Sequence, residues 1–314
     1  MAIRGLAENV FFLGIGAQKA GTSYLYSCLS EHPQILMPPI KELHWFDEAQ
    51  ERCAVNPFHR LINWRHPRNK RWAKVLLLSS GHKIVQGHFR KAMWIWRFMM
   101  LRRELTEKAI KGYVSATRGY FQSSVTGDIT PFYAALKPDT IKFIHQNLPD
   151  VKIVYLIRNP FERDMSELRM YVRDNQISCL SEIPDEYLER WRSDRFHSQY
   201  LKNLKHWVSF FGLESIHVEL FDCLVENPQA TLDRIFTFLG LPTHDIAEEV
   251  VSRVVNNSPP LCAIPDTFYL PTGQYSDEIR SLKSYLRDWP HVPIERLDQW
   301  MNTCSSQMGE VRDA

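Results

Sequence analysis

Phe12-Leu13-Gly14-Ile15-Gly16-Ala17-Gln18-Lys19-Ala20-Gly21-Thr22-Ser23 is the stretch on which the fold turns. Val10 to Ile15 is a short apolar run that reads as a buried strand. It is brief for the core of a secretory leader, although Arg4 precedes it, and cleavage near Ala17 would discard half of the motif that follows. Gly14, Gly16 and Gly21 make a turn. Thr22 to Ser30 then reads as a helix, stopped by His32-Pro33. Glycines let a backbone curl so that its N–H groups converge on an anion. The helix N-terminus adds partial positive charge, and the hydroxyls of Thr22 and Ser23 add donors. Lys19 supplies a full charge. Gly16 and Gly21 have the spacing of the G-x-x-x-x-G-K-[ST] loop, but Thr22 follows Gly21 and the lysine comes two residues too early. The loop is therefore built for an anion and is a misfit for a kinase or ATPase.

Outward from that stretch, strands and helices alternate. Val151 to Ile157 is a second strand, and Pro160 opens a helix towards Arg173. Phe196 to Phe211 is helical, and Ser215 to Phe221 reads as a strand. Gln229 to Leu239 is an amphipathic helix closing at Gly240, and Asp277 to Leu286 a C-terminal helix. The pattern predicts an α/β fold, a P-loop-like parallel β-sheet flanked by helices, as a single domain over residues 1–314. A chain of this size buries enough surface to fold without staples. Its 44% hydrophobic and 24% charged residues exclude a disordered, collagen-like or coiled-coil protein. No run approaches the ~18 apolar residues of a membrane span. The six cysteines are scattered with no C-x-x-C pair, so neither a metal site nor a disulfide framework is supported. A cytoplasmic protein with mostly reduced thiols is expected, one or two bridges remaining open.

Residues 48–125 break the rhythm. This basic, Trp-rich insertion holds Trp64, Trp72, Trp94 and Trp96, and with Trp45 just before it accounts for five of the nine tryptophans. Between Arg52 and Arg118 stand sixteen basic and two acidic side chains. So concentrated a field attracts anions, whether an acidic substrate, an anionic membrane surface or nucleic acid. A solvated basic face is an equal reading. Residues 92–103 read either as a basic amphipathic helix on a membrane surface or as a buried helix.

The second anchor is Leu156-Ile157-Arg158-Asn159-Pro160-Phe161-Glu162-Arg163, followed by Ser166. Arg158 ends a strand and Ser166 lies two turns into the next helix. A guanidinium offers phosphate a bidentate fork, and a hydroxyl adds one more bond. Arg163 reads equally as an ion-pair residue of the framework.

With both anchors in view, the chain resembles the sulfotransferases that use 3′-phosphoadenosine 5′-phosphosulfate, in the branch with heparan-sulfate and bacterial carbohydrate enzymes. Lys19-Ala20-Gly21-Thr22-Ser23 is similar to that family's 5′-phosphosulfate loop, K-x-G-T-[ST]. His32-Pro33 through Pro38 and Lys41-Glu42-Leu43-His44-Trp45-Phe46-Asp47 resemble its H-P…P-x-x-K-E-x-H-F-F-D. Arg158 to Ser166 resembles its 3′-phosphate motif, R-[DN]-P-x-x-R-x-x-S. Gly127-Asp128-Ile129-Thr130-Pro131-Phe132-Tyr133 resembles the G-[DE]-x-T-P-x-Y of bacterial members. Tyr200 through Phe221 and Pro228 to Leu241 resemble its later Y-x-x-x-L-x-x-W…F-L-G-L region. The resemblance implies that Lys19, Ala20, Gly21, Thr22 and Ser23 hold the 5′-phosphosulfate, and Arg158 and Ser166 the 3′-phosphate. The product is 3′-phosphoadenosine 5′-phosphate.

Two positions depart from the family. Ile129 stands where several animal heparan-sulfate enzymes have a lysine, and Thr272-Gly273-Gln274 stands nearest to a late K-G-R loop without its charges.

The implied chemistry is in-line sulfuryl transfer to an acceptor oxygen, which needs positioning, charge stabilisation and a base. Lys19 suits the leaving phosphate. Glu42 is the base that the carbohydrate branch implies. His44 then positions or packs, though the two roles are exchanged in the cytosolic phenol branch. Lys41 faces cofactor or acceptor, and Asp47 orients the acceptor. The acceptor is expected to be a glycan, a lipid-linked glycan or a small natural product. No nucleic-acid partner and no metal are expected, and peripheral membrane contact through 92–103 stays open. The insertion is expected to line the acceptor cleft, its tryptophans stacking on the acceptor or packing in the core. A nucleotide-dependent kinase predicts a Walker lysine after the second glycine. A non-enzymatic anion-binding module gives no reason for both anchors to occur together.

Overall fold

The computed structural model describes residues 10–50, 94, 98, 101, 104–118, 125–177, 182–193, 195–252, 272–289 and 291–312. Strand β1 (Val10–Gly16) leads into helix α1 (Thr22–Leu29), the short strand β2 (Ile35–Leu36) and helix α2 (Trp45–Gln50). Helix α3 (Glu107–Arg118) precedes β3 (Val125–Ile129), and α4 (Pro138–Asn147) precedes β4 (Lys152–Ile157). Helices α5 (Pro160–Asp174), α6 (Asp185–Ser193) and α7 (Tyr200–Phe211) lead to β5 (Ile216–Leu220). Helices α8 (Phe221–Glu226), α9 (Pro228–Phe238), α10 (Glu248–Val251), α11 (Thr272–Leu286) and α12 (Glu295–Arg312) follow.

All strand pairs are parallel, in the order β2-β3-β1-β4-β5. The chain moves from β1 towards β2 on one side of the sheet and from β4 towards β5 on the other. The loops leaving β1 and β4 therefore diverge and open a crevice at the carboxyl ends of the strands, where α/β sheets bind ligands. The apolar runs of β1 and β4 are buried on both faces, as parallel strands covered by helices require. Phe12, Leu13, Ile15, Ile153 and Leu156 are fully enclosed, each contributing about 1.5–3 kcal/mol by leaving water.

Strand β3 is equally buried but reads V-T-G-D-I. Gly127 faces Phe12 across the β1–β3 ladder, and a Cβ there would lie 2.3 Å from the Phe12 ring. Thr126 Oγ1 donates to the carbonyls of Leu36 (2.9 Å) and Thr117 (3.1 Å). The strand thus packs through a glycine and internal hydrogen bonds, and shows no apolar run in the sequence.

The helical stretch predicted over 196–211 is divided: a 3-10 turn at Arg195–Ser198 precedes α7, which starts at Tyr200. Ser198 is drawn out of register by hydrogen bonds with Arg163 and Asp164. Helix α11 begins at Thr272, five residues before the expected start, and Tyr275 in its first turn donates to Asp164 Oδ2 at 2.8 Å. Most of the insertion lies outside the described residues. Its described part joins the core: Phe98, Ile110, Tyr113 and Val114 are buried, and Trp94 stacks on Phe98 at 5.1 Å. Trp94 and Phe98 therefore turn inward. Among the described residues no helix is long and apolar enough to cross a membrane.

Candidate active site

The loop after β1 closes on the sheet and on itself. The Ala17 N–H donates to Leu156 O of β4, and the Ala20 N–H to Ala17 O at 3.1 Å. Lys19 and Gly21 adopt left-handed backbone, at φ 68° and 83°. Gly21 is required twice over, because a Cβ there would also lie 2.9 Å from the Phe221 ring. Thr22 and Ser23 then start α1. After β4, Asn159 caps α5: its Oδ1 accepts from Phe161 N (3.0 Å) and Glu162 N (3.4 Å), with Pro160 at the first helical position. That cap fixes Arg158 at the crevice. Arg158 Nη1 donates to Lys19 O at 3.4 Å, and its guanidinium lies over Phe221, 4.6 Å from the ring centre. Its Nε and Nη2 donate to Glu162 Oε2 at 3.1 and 2.9 Å. The two sequence anchors are thus in contact.

They share a cavity of about 660 Å³, within the usual ~300–1,000 Å³ of small-molecule sites. Lys19, Gly21, Thr22, Ser23, Arg158 and Ser166 line it, as do Lys41 and Glu42. Phe221, Leu224 and Met170 supply apolar wall. Arg173, not singled out in the sequence, also lines it. Its signal was available: Ser166, Met170 and Arg173 are spaced to share one face of α5. Burial pulls the Lys19 pKa below its ordinary value, and the Arg173 and Arg158 charges pull it further, against Asp174 and Glu167. Lys19, Arg158 and Arg173 place three cations on one concave site, which Glu42 and Asp174 also line, and such a surface suits an anion. The residues present therefore fit an anionic group at each of the two loops.

Other residues weighed in the sequence take the following places. Ala20 is fully buried and contributes its backbone to the turn, not a surface to the cavity. Arg163 is 1% exposed, paired with Asp164 and Glu167 and bonded to Ser198, so it belongs to the framework. Thr272-Gly273-Gln274 forms the first turn of α11. Ile129 is buried over Gly14, and its carbonyl accepts from the Glu42 N–H at 3.2 Å.

Glu42 reaches the cavity from the loop before α2. Lys41 Nζ pairs with Glu42 Oε1, and His44 Nε2 lies 3.8 Å from Glu42 Oε2. His44 itself does not line the cavity. Its Nδ1 is 2.7 Å from Asp47 Oδ2, and its ring packs edge-on against Phe132. Burial opposes charge on His44, but the hydrogen bond to Asp47 and the nearby Glu42 carboxylate outweigh it and raise the pKa to about 9. His44 is therefore an imidazolium at neutral pH. Glu42 and His44 both sit in left-handed backbone, at φ 65° and 52°. Such residues cost about 1–3 kcal/mol each and persist only where surrounding structure holds them.

A parallel sheet flanked by helices, with two strand-to-helix loops joined at its switch point, defines an α/β protein of P-loop-like layout. Residues 12–245 match the sulfotransferase family, and the chain belongs to it. Over 273 residues it is 23% identical to carbohydrate sulfotransferase 15 of Mus musculus, covering 77% of this chain and 46% of that protein. Over 150 residues it is 25% identical to heparan sulfate glucosamine 3-O-sulfotransferase 6 of Homo sapiens, covering 43% of this chain and 41% of that protein. The chain spans about half the length of the curated relatives it matches. The crystal structure of a sulfotransferase from Alicyclobacillus acidocaldarius superposes with a TM-score of 0.56 at 20% identity, covering 90% of this chain and 96% of that one. The fold is shared with that protein.

Proposed function

We propose that the chain transfers a sulfuryl group from 3′-phosphoadenosine 5′-phosphosulfate to a hydroxyl of a carbohydrate or small-molecule acceptor. Glu42 is the general base and Lys19 stabilises the leaving phosphate. The observation that carries this is a single cavity lined by both anchor loops and by Glu42. The bound cofactor supplies the activated sulfuryl group. Lys19, Thr22 and Ser23 hold its 5′ end, with the α1 N-terminus behind them. Arg158 and Ser166 hold its 3′-phosphate, and Phe221 keeps Arg158 in place. Glu42 accepts the acceptor's proton at its carboxylate, and His44, locked to Asp47, fixes the orientation of that carboxylate. A glycan acceptor is favoured by the two relatives, whose names are those of carbohydrate and heparan sulfate sulfotransferases.

The test is turnover with sulfur-labelled cofactor against a panel of sugar and phenolic hydroxyls. Glu42→Gln should lower kcat by about 10²–10⁴ while affinity for 3′-phosphoadenosine 5′-phosphate stays at wild type. A Glu42→Gln enzyme as fast as wild type would remove the base from the account.

A further inference from the structure

Four consecutive backbone N–H groups before and at the start of α2 are donated to one short stretch of chain around the end of β3. Glu42 N donates to Ile129 O at 3.2 Å and Leu43 N to Asp128 Oδ1 at 3.4 Å. His44 N points to Thr130 Oγ1 at 3.5 Å, and Trp45 N donates to Tyr133 OH at 2.9 Å. The acceptors are themselves fixed. Thr130 Oγ1 donates to Asp128 Oδ1 at 2.9 Å, and Tyr133 OH donates to Asp128 Oδ2 at 2.7 Å. Tyr113 OH donates to the same Oδ2 at 3.0 Å, yet it is bonded to no amide of the 42–45 stretch. Asp128, Tyr133 and Tyr113 are all enclosed. The Glu42 amide meets a carbonyl of β3, and the next three amides meet Asp128 itself or a hydroxyl that Asp128 fixes, so the stretch carrying the left-handed Glu42 and His44 is tied down at every amide.

We propose that Tyr133, working with Asp128 and Thr130, is a positioning residue that sets the geometry of Glu42 and His44. The proposal rests on Glu42 being the base. Tyr133 touches neither group: it acts through the Trp45 amide, at the join between the strained stretch and α2. Tyr113 serves as an internal control, because it gives the same carboxylate oxygen a hydrogen bond from an equally buried position.

The experiment is a histidine NMR titration of the full chain, labelled at histidine carbon, with resonances assigned by His44→Gln. In wild type the groups facing His44 are Asp47 and Glu42, and it should titrate at about 9. In Tyr133→Phe the stretch loosens, the pairing with Asp47 and Glu42 weakens, and the midpoint should fall towards the ordinary 6.5. In Tyr113→Phe it should stay at the wild-type value. A merely structural role moves both alike, and that result overturns the proposal. Should Tyr133→Phe not fold, Thr130→Ala should lower the His44 midpoint and Thr130→Ser restore it; an unmoved midpoint in Thr130→Ala overturns it equally. Calorimetric titration of 3′-phosphoadenosine 5′-phosphate into the same proteins separates the two levels. Affinity should be the same in all, since Lys19 and Arg158 lie outside the network. A wild type that binds none removes the sulfotransferase reading, and with it the catalytic meaning of the positioning.

Discussion

His44 should make the protein lose stability on the alkaline side of neutrality. The imidazole is held between Asp47 and Glu42 with its side chain 11% exposed, and its pKa rises from 6.5 to about 9 despite burial. The folded state therefore binds the proton more tightly than the unfolded chain. The stabilisation is complete below pH 6.5 and is lost as pH rises to about 9. At about 1.4 kcal/mol for each tenfold in proton affinity, the gap amounts to about 3 kcal/mol. The assay is urea unfolding of wild type and His44→Gln at about pH 6 and about pH 9.5, so that other titrating groups cancel in the difference. With a urea slope of about 3 kcal/mol per molar, the advantage of wild type should shrink by about 1 M in midpoint between the two conditions. An advantage independent of pH would refute the charged His44 and its pairing.

Replacing Arg163 by Ala strands the Asp164 and Glu167 carboxylates and should cost about 3–5 kcal/mol in urea, with unchanged cofactor affinity in the folded protein. Gly127→Ala places a methyl against Phe12 and should destabilise by about 1–3 kcal/mol, seen as a lower Tm by circular dichroism. Gly21→Ala strains a φ of 83° and presses on Phe221, so nucleotide affinity should fall by at least about tenfold in a protein that still folds.

The parts of the fold legible in the sequence are those whose physics is one-dimensional. Strands β1 and β4 are buried on both faces and show as apolar runs; Pro160 marks a helix start; the two anchor loops carry their chemistry in adjacent residues. The α/β class and the parallel sheet follow from these. Strand β3 was invisible as a strand because Thr126, Gly127 and Asp128 serve hydrogen bonding and the close approach of Phe12. Arg163, left open between ligand and framework, is decided by Asp164, its neighbour in sequence, together with Glu167 and Ser198. Arg173 lay on the legible face of α5 but seven residues past the motif. The left-handed backbone at Glu42 and His44 has no signature in sequence, since the acceptors that tie it down come from residues 128 to 133. The basic insertion lies mostly outside the described residues.

The central claim is that the loops after β1 and β4 bind one nucleotide with phosphates at both ends. Calorimetric titration of 3′-phosphoadenosine 5′-phosphate, without magnesium, into wild type, Lys19→Ala and Arg158→Ala tests it most directly. Tight binding to wild type that weakens by at least about tenfold in each variant is the expected result, each having lost a charge-assisted contact. A folded wild type that binds no such nucleotide, or variants that bind it as well as wild type, would contradict the account.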